Sequence, residues 1–306
     1  MTRPTPVPTA SHLLLGYTAW VLTVVIGSAW QLATRVGVTT SLAPLDLALI
    51  RYAVPATVLL PVLFRRGFLP KTGSALSVFC VIVGAGAPFG LLGMVGAQYA
   101  PASHMGALVP GSIPVFTALL GVLFVGERLG RAQAMGLLSV VLGVGLIVGA
   151  SFATATPSVL IGDGLFLLAG VFWAGYTLAF RSSGLTAWHG AAVICFWSTV
   201  FVVPLWLVHG QSTLTEAPVV DIVVQVVAQG LLAGLIGLAA YGTAVRVLGA
   251  GTAAVSGAAV PALTAVGGWL VLNEALSAFI IFGISLITLG IAVCLRAGAR
   301  RLQSAK

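Results

Sequence analysis

PVFTALLGVLFVGERL, residues 114–129, recurs without a gap as PALTAVGGWLVLNEAL, residues 261–276. At a constant offset of 147 positions Pro114, Thr117, Ala118, Gly121, Leu123, Glu127 and Leu129 fall on Pro261, Thr264, Ala265, Gly268, Leu270, Glu274 and Leu276. Further along, Gly136 and Gly143 land on Gly283 and Gly290. One unit has therefore been used twice, and in an apolar chain such a repeat points to a membrane fold with internal symmetry.

Of the 306 residues, 59% are hydrophobic and 7% charged, and the mean hydropathy is +1.13. Soluble domains carry roughly a quarter charged residues, so the solvent here is lipid. A spanning helix needs about 20 mostly apolar residues. The runs between charge, Pro and Gly clusters predict ten spans: 13–34, 45–64, 75–98, 103–125, 131–150, 162–181, 190–209, 222–246, 252–273 and 277–296. Their apolar residues are continuous instead of alternating, which selects helices over barrel strands. The linker 151–160 separates five spans from five, which predicts an all-α integral membrane protein made of two repeats, residues 13–150 and 160–296.

Charge placement tests the count. With a cytoplasmic N-terminus, Arg3, Arg65, Arg66, Lys71, Arg128, Arg131, Arg181, Arg246, Arg296, Arg300, Arg301 and Lys306 fall on the inner side, and only Arg35 and Arg51 on the outer. This positive-inside bias predicts cytoplasmic N- and C-termini in a bacterial inner membrane. The net charge of +8 then faces anionic lipid headgroups, not nucleic acid. The first apolar run, about 20 residues long and with a counterpart at 162–181, is expected to be retained instead of cleaved as a leader. Because five is odd, the second repeat enters from the opposite side. The halves should be inverted about an axis in the membrane plane, which suits alternating access around a midplane site.

The doubled Pro-containing span ending in a Gly-Glu or Asn-Glu turn, Trp30 in the first span with Trp173 in the sixth, and Arg51 early in the second resemble the drug/metabolite transporter superfamily. More narrowly, the chain resembles the EamA-type ten-span permeases over nearly its whole length. That resemblance implies secondary transport, commonly export of amino acids or related metabolites. Gln31 departs from the pattern, since many relatives have Gly after the Trp.

Chemistry-bearing residues within the spans are few. Pro114 and Pro261 sit mid-span at matched places, where each removes a backbone hydrogen bond, either as a hinge or as a packed kink. Trp173 and Tyr176 share one face of the sixth span, with Trp197 in the seventh. Trp is normally interfacial, so this face is either core packing or a stacking wall for flat solutes. Phe89, Gly90, Ser112, Tyr241 and Ser256 are expected as further lining, small or hydroxylated groups near kinks suited to a zwitterion. Arg51 either meets a substrate carboxylate, pairs with Asp46 or a helix end, or snorkels to the outer interface. Trp20, Trp188, Trp206 and Trp269 read as interfacial belt residues, Glu127 and Glu274 as helix-end or gate carboxylates, and His104 as a surface residue. With no carboxylate at mid-span, a proton relay is not expected.

Enzyme motifs are missing. There is no GxxxxGK[ST], no HExxH and no GxSxG, and the four His form no metal cluster. Cys80, Cys195 and Cys294 suggest neither disulfide nor zinc, so no cofactor or metal is expected. An integral-membrane lipid-headgroup enzyme and a solute channel stand as alternatives. The former needs an acid-rich cluster at one interface, and the latter gains nothing from matched hinges. The favoured expectation is a secondary transporter of amino acids, aromatic or large hydrophobic ones above all, with membrane lipids as its surroundings.

Overall fold

The protein, described here by a computed structural model, is seen over residues 10–70, 73–127, 129–154, 157–209, 212–249, 252–253 and 255–304. Of the predicted inner-side cations, Arg3, Lys71, Arg128 and Lys306 lie outside the described residues. The secondary structure is helical, as continuous apolar runs in lipid require. Among the described residues eight helices are long and apolar enough to span, and two with shorter apolar segments, Val260–Leu272 and Ala278–Cys294, complete the ten. They are α1 (Ala10–Thr40), α2 (Pro44–Arg66), α3 (Ala75–Tyr99), α4 (Ala102–Val125) and α5 (Arg131–Thr154) in the first half. The second half holds α6 (Pro157–Ser182), α7 (Ala187–His209), α8 (Val219–Leu248), α9 (Val260–Leu272) and α10 (Ala278–Ser304).

The inversion is visible at the α5–α10 seam. A Cβ built on Gly136 would lie 2.6 Å from the Gly290 carbonyl, and one on Gly143 2.6 Å from the Gly283 carbonyl. Early residues of α5 thus meet late residues of α10, so the two helices run antiparallel. Each contact is repeated by its partner one offset of 147 away, because Gly283 faces Gly143 and Gly290 faces Gly136. Such exchange is the signature of a two-fold axis crossing the seam. Glycine is required there because backbones in close contact leave no room for a side chain. The same reciprocity holds elsewhere: α1 packs on α8 and α3 on α6, so the first helix of each half lies against the third helix of the other.

Irregular backbone gathers at mid-membrane. α3 is broken at Gly86, where the interruption frees backbone groups that lipid cannot satisfy. Tyr52 of α2 donates its hydroxyl hydrogen to the Gly86 carbonyl at 2.6 Å, and the Ala87 N–H donates to Ser198 Oγ of α7 at 2.9 Å. The matching part of α8, Val226–Gly237, is wound as a π-helix, a form that frequently marks functional positions. α9 differs from expectation. The chain makes a 3₁₀ turn over Val255–Ala258 before α9 begins at Val260, so Pro261 lies in the first turn and not mid-span. A proline with its preset φ is tolerated there because the early N–H groups of a helix have no intrahelical acceptor. Pro110 and Pro114 remain inside the continuous α4.

Candidate functional site

A cleft with about 660 Å³ of free space lies between the halves, close to the middle of the helices. Its most continuous wall is aromatic. Trp30 of α1 lies 5.4 Å from Phe89 of α3, Phe89 lies 4.6 Å from Trp173 of α6, and Trp173 lies 5.0 Å from Tyr241 of α8, measured between ring centres. Both halves contribute two rings. Trp173 packs against both apolar clusters of the protein and so sits at the seam between them.

The ring positions are held by hydrogen bonds. Thr177 donates to the Trp173 carbonyl at 2.8 Å, which uses its only hydroxyl hydrogen, so the 2.6 Å contact with Tyr241 is a phenol donating to Thr177. Opposite the rings, Val109, Pro110 and Ile113 of α4 meet Gly257 and Val260, at the start of α9. The polar lining is sparse: Thr23 and Gln31 of α1, and Arg51 of α2. Gln31 accepts from Thr264 of α9 at 3.2 Å, so α1 is tied to α9 beside the cleft.

Arg51 is the most unusual of these. It is buried and does not snorkel, with its guanidinium carbon 4.6 Å from the centre of the Trp30 ring and 5.7 Å from that of Tyr52. Asp46 is unavailable to it. That carboxylate is occupied by Trp206 Nε1 at 2.7 Å, the Ser212 hydroxyl at 2.8 Å and the Thr213 N–H at 2.9 Å. Trp206 is therefore a donor to a buried acid as well as a helix-end aromatic.

Of the residues expected from sequence, Arg51, Phe89, Trp173 and Tyr241 line the cleft. Tyr176 stands behind the wall, buried, with its ring 5.2 Å from Trp173. Gly90 is the seat of Tyr52, whose hydroxyl occupies the space a side chain would need. Ser112 turns to its own helix and donates to the Val109 carbonyl at 3.1 Å. Pro114 lies one turn from the lining Pro110, and Pro261 adjoins the lining Val260. Ser256 falls in the 3₁₀ turn, and its side chain lies outside the described residues. Thr23, Gly27 and Gln31 were not anticipated, and Trp30 was noted only as part of the family pattern. Their signal is spacing, because 23, 27, 30 and 31 share a face of one helix.

His104 corrects the sequence reading. It is buried, and its Nδ1 lies 2.8 Å from Asp163 Oδ1 of α6, while Ser151 of α5 donates to Asp163 Oδ2 at 2.8 Å. A histidine early in α4 is drawn inward because α6 places a carboxylate beside it.

Two helical repeats enclosing an aromatic cleft at their seam define the class as an all-helical membrane protein with an internal repeat. The EamA-like transporter family matches residues 14–149 and again 160–296, and the chain belongs to that family. It is accordingly a multi-pass membrane transporter of small solutes. No curated protein matches it significantly. Among 29 matching chains of solved structures, the crystal structure of one protein covers 96% of this chain and 98% of its own, with 20% identity and a TM-score of 0.61. That likeness is one of fold.

Proposed function

We propose that the protein is a secondary transporter exporting amino acids or related metabolites, aromatic and large hydrophobic ones above all. Substrate binds in the midplane cleft, and the inverted halves alternate around it. The wall of Trp30, Phe89, Trp173 and Tyr241 carries this reading. Rings held 4.6–5.4 Å apart and edged by little polar surface offer stacking area to a flat solute. The two repeats, residues 13–150 and 160–296, act as the moving units. The charge bias supports an inner bacterial membrane with both termini cytoplasmic.

Counterflow in proteoliposomes tests this directly. Vesicles loaded with unlabelled phenylalanine or tryptophan should accumulate the labelled form, while loading with alanine should drive less. A carrier shows saturation and trans-stimulation. Equal, unsaturable flux of every solute would indicate a channel and defeat the proposal.

A further inference from the structure

Three hydrogen-bond donors on the cleft lining have no acceptor. Nε and Nη1 of Arg51 and Nε1 of Trp30 are buried without a hydrogen-bond partner. Arg51 has no ion pair among the described residues, since the nearest acid along its helix, Asp46, is already filled. Among the described residues the cleft lining contains no Asp or Glu. A buried cation without an anion is costly, and so is each unmade donor. The Trp30 face beneath the guanidinium offsets part of that through cation–π attraction but offers no acceptor in the plane of the N–H groups.

We infer that Arg51 and Trp30 form an anion subsite that receives the carboxylate of a flat, apolar monocarboxylate, and that the carboxylate, not an ammonium group, is the polar determinant of binding. The inference deepens the proposed function and rests on its placing of substrate in the cleft. A planar guanidinium matches a carboxylate in geometry as well as charge. Stacked against Trp173 and Phe89, an aromatic body would place its acid toward the α1–α2 side of the cleft. The substrate ammonium has no carboxylate to meet there, so amino acids and their deaminated counterparts bind by the same two features.

The experiment is calorimetric titration of the purified full chain with indole-3-propionate, its methyl ester, tryptamine and tryptophan. The acid should bind about ten- to a hundredfold more tightly than the ester and tryptamine, the range expected for hydrogen bonds to a charged group. Tryptophan should bind like the acid. Arg51→Gln should abolish the preference, bringing acid and ester to equal affinity. If that variant does not fold, Trp30→Phe keeps an aromatic ring and removes one donor, and it should weaken the acid by severalfold more than the ester.

Equal affinity for acid and ester, or a preference that survives Arg51→Gln, overturns the subsite. If hexanoate binds in an Arg51-dependent way and no indole compound binds, the aromatic reading fails while the anion subsite stands. If none of these probes binds, both fail.

Discussion

Glu274, in the turn between α9 and α10, reaches Arg35 of α1 at 3.1 Å while accepting the Ala102 N–H at the start of α4 at 2.9 Å. Arg35 also donates to the Ala97 carbonyl of α3, so one carboxylate and one guanidinium hold four helices together. The counterpart at the other end of the pseudo-axis is looser. Glu127 meets Arg181 of α6 at 3.4 Å, and these side chains are 42% and 61% exposed, against 11% and 20% for Glu274 and Arg35. The two turns thus match in sequence at their glutamate and differ in how tightly it is held.

Removing charge at these two turns should have unequal effects. Glu274→Gln should lower stability by about 1–2 kcal/mol through loss of a charge-assisted bond to a helix end. Glu127→Gln should change it by about 0.5 kcal/mol or less, the scale of an exposed ion pair. Thermal unfolding in one detergent compares them; a larger loss at Glu127 would contradict the asymmetry.

The glycine seam gives a sharper contrast. Gly143→Leu should abolish a monodisperse peak in size-exclusion chromatography, because any side chain there meets the Gly283 carbonyl at 2.6 Å. Gly145→Ala, two residues on and with nothing within 4 Å, should be neutral or stabilising by up to about 1 kcal/mol. A monodisperse Gly143→Leu protein would mean that the seam can open.

At the site, Trp173→Ala should weaken transport of aromatic amino acids more than that of Thr or Ala. An aromatic pair contributes on the order of 1 kcal/mol beyond buried area. Trp269→Ala, more than half exposed on α9, should affect all substrates alike. Uptake assays matched for membrane expression decide it, and equal loss for every substrate at Trp173 would make it a packing residue.

His104→Ala would leave the buried Asp163 without its imidazole partner, with Ser151 still donating to it. Depriving a buried acceptor of a partner costs about 1–3 kcal/mol, so a fall in melting temperature is expected. Restoring a donor with His104→Asn or His104→Gln should recover part of it. No loss on His104→Ala would mean that the pair contributes nothing to the fold.

A topology assay completes the set. A reporter active only in the periplasm should be silent when fused after Lys306, as the positive-inside bias requires.

Local composition was enough to determine the number of helices, their membrane setting and their two-fold repetition. Apolar run length and the recurrence of Pro, Gly and Glu at a constant offset are properties of the chain alone, and lipid enforces helix on any such run. That Trp173 and Tyr176 share a side of one helix was legible for the same reason, whereas which of them meets the cleft was not, since Trp173 lines it and Tyr176 stands behind. What Arg51, His104 and Asp46 do was decided by tertiary structure, because the energy of an ionisable group depends on neighbours brought from other helices. Asp46 is filled by Trp206, Ser212 and Thr213, His104 is paired with Asp163, and Arg51 is left over a tryptophan with its Nε and Nη1 donors unmet. The start of α9 belongs with them: Pro261 removes the same N–H in any context, but the packing of Gly257 against Pro110 accompanies a turn, not a kink, in front of it.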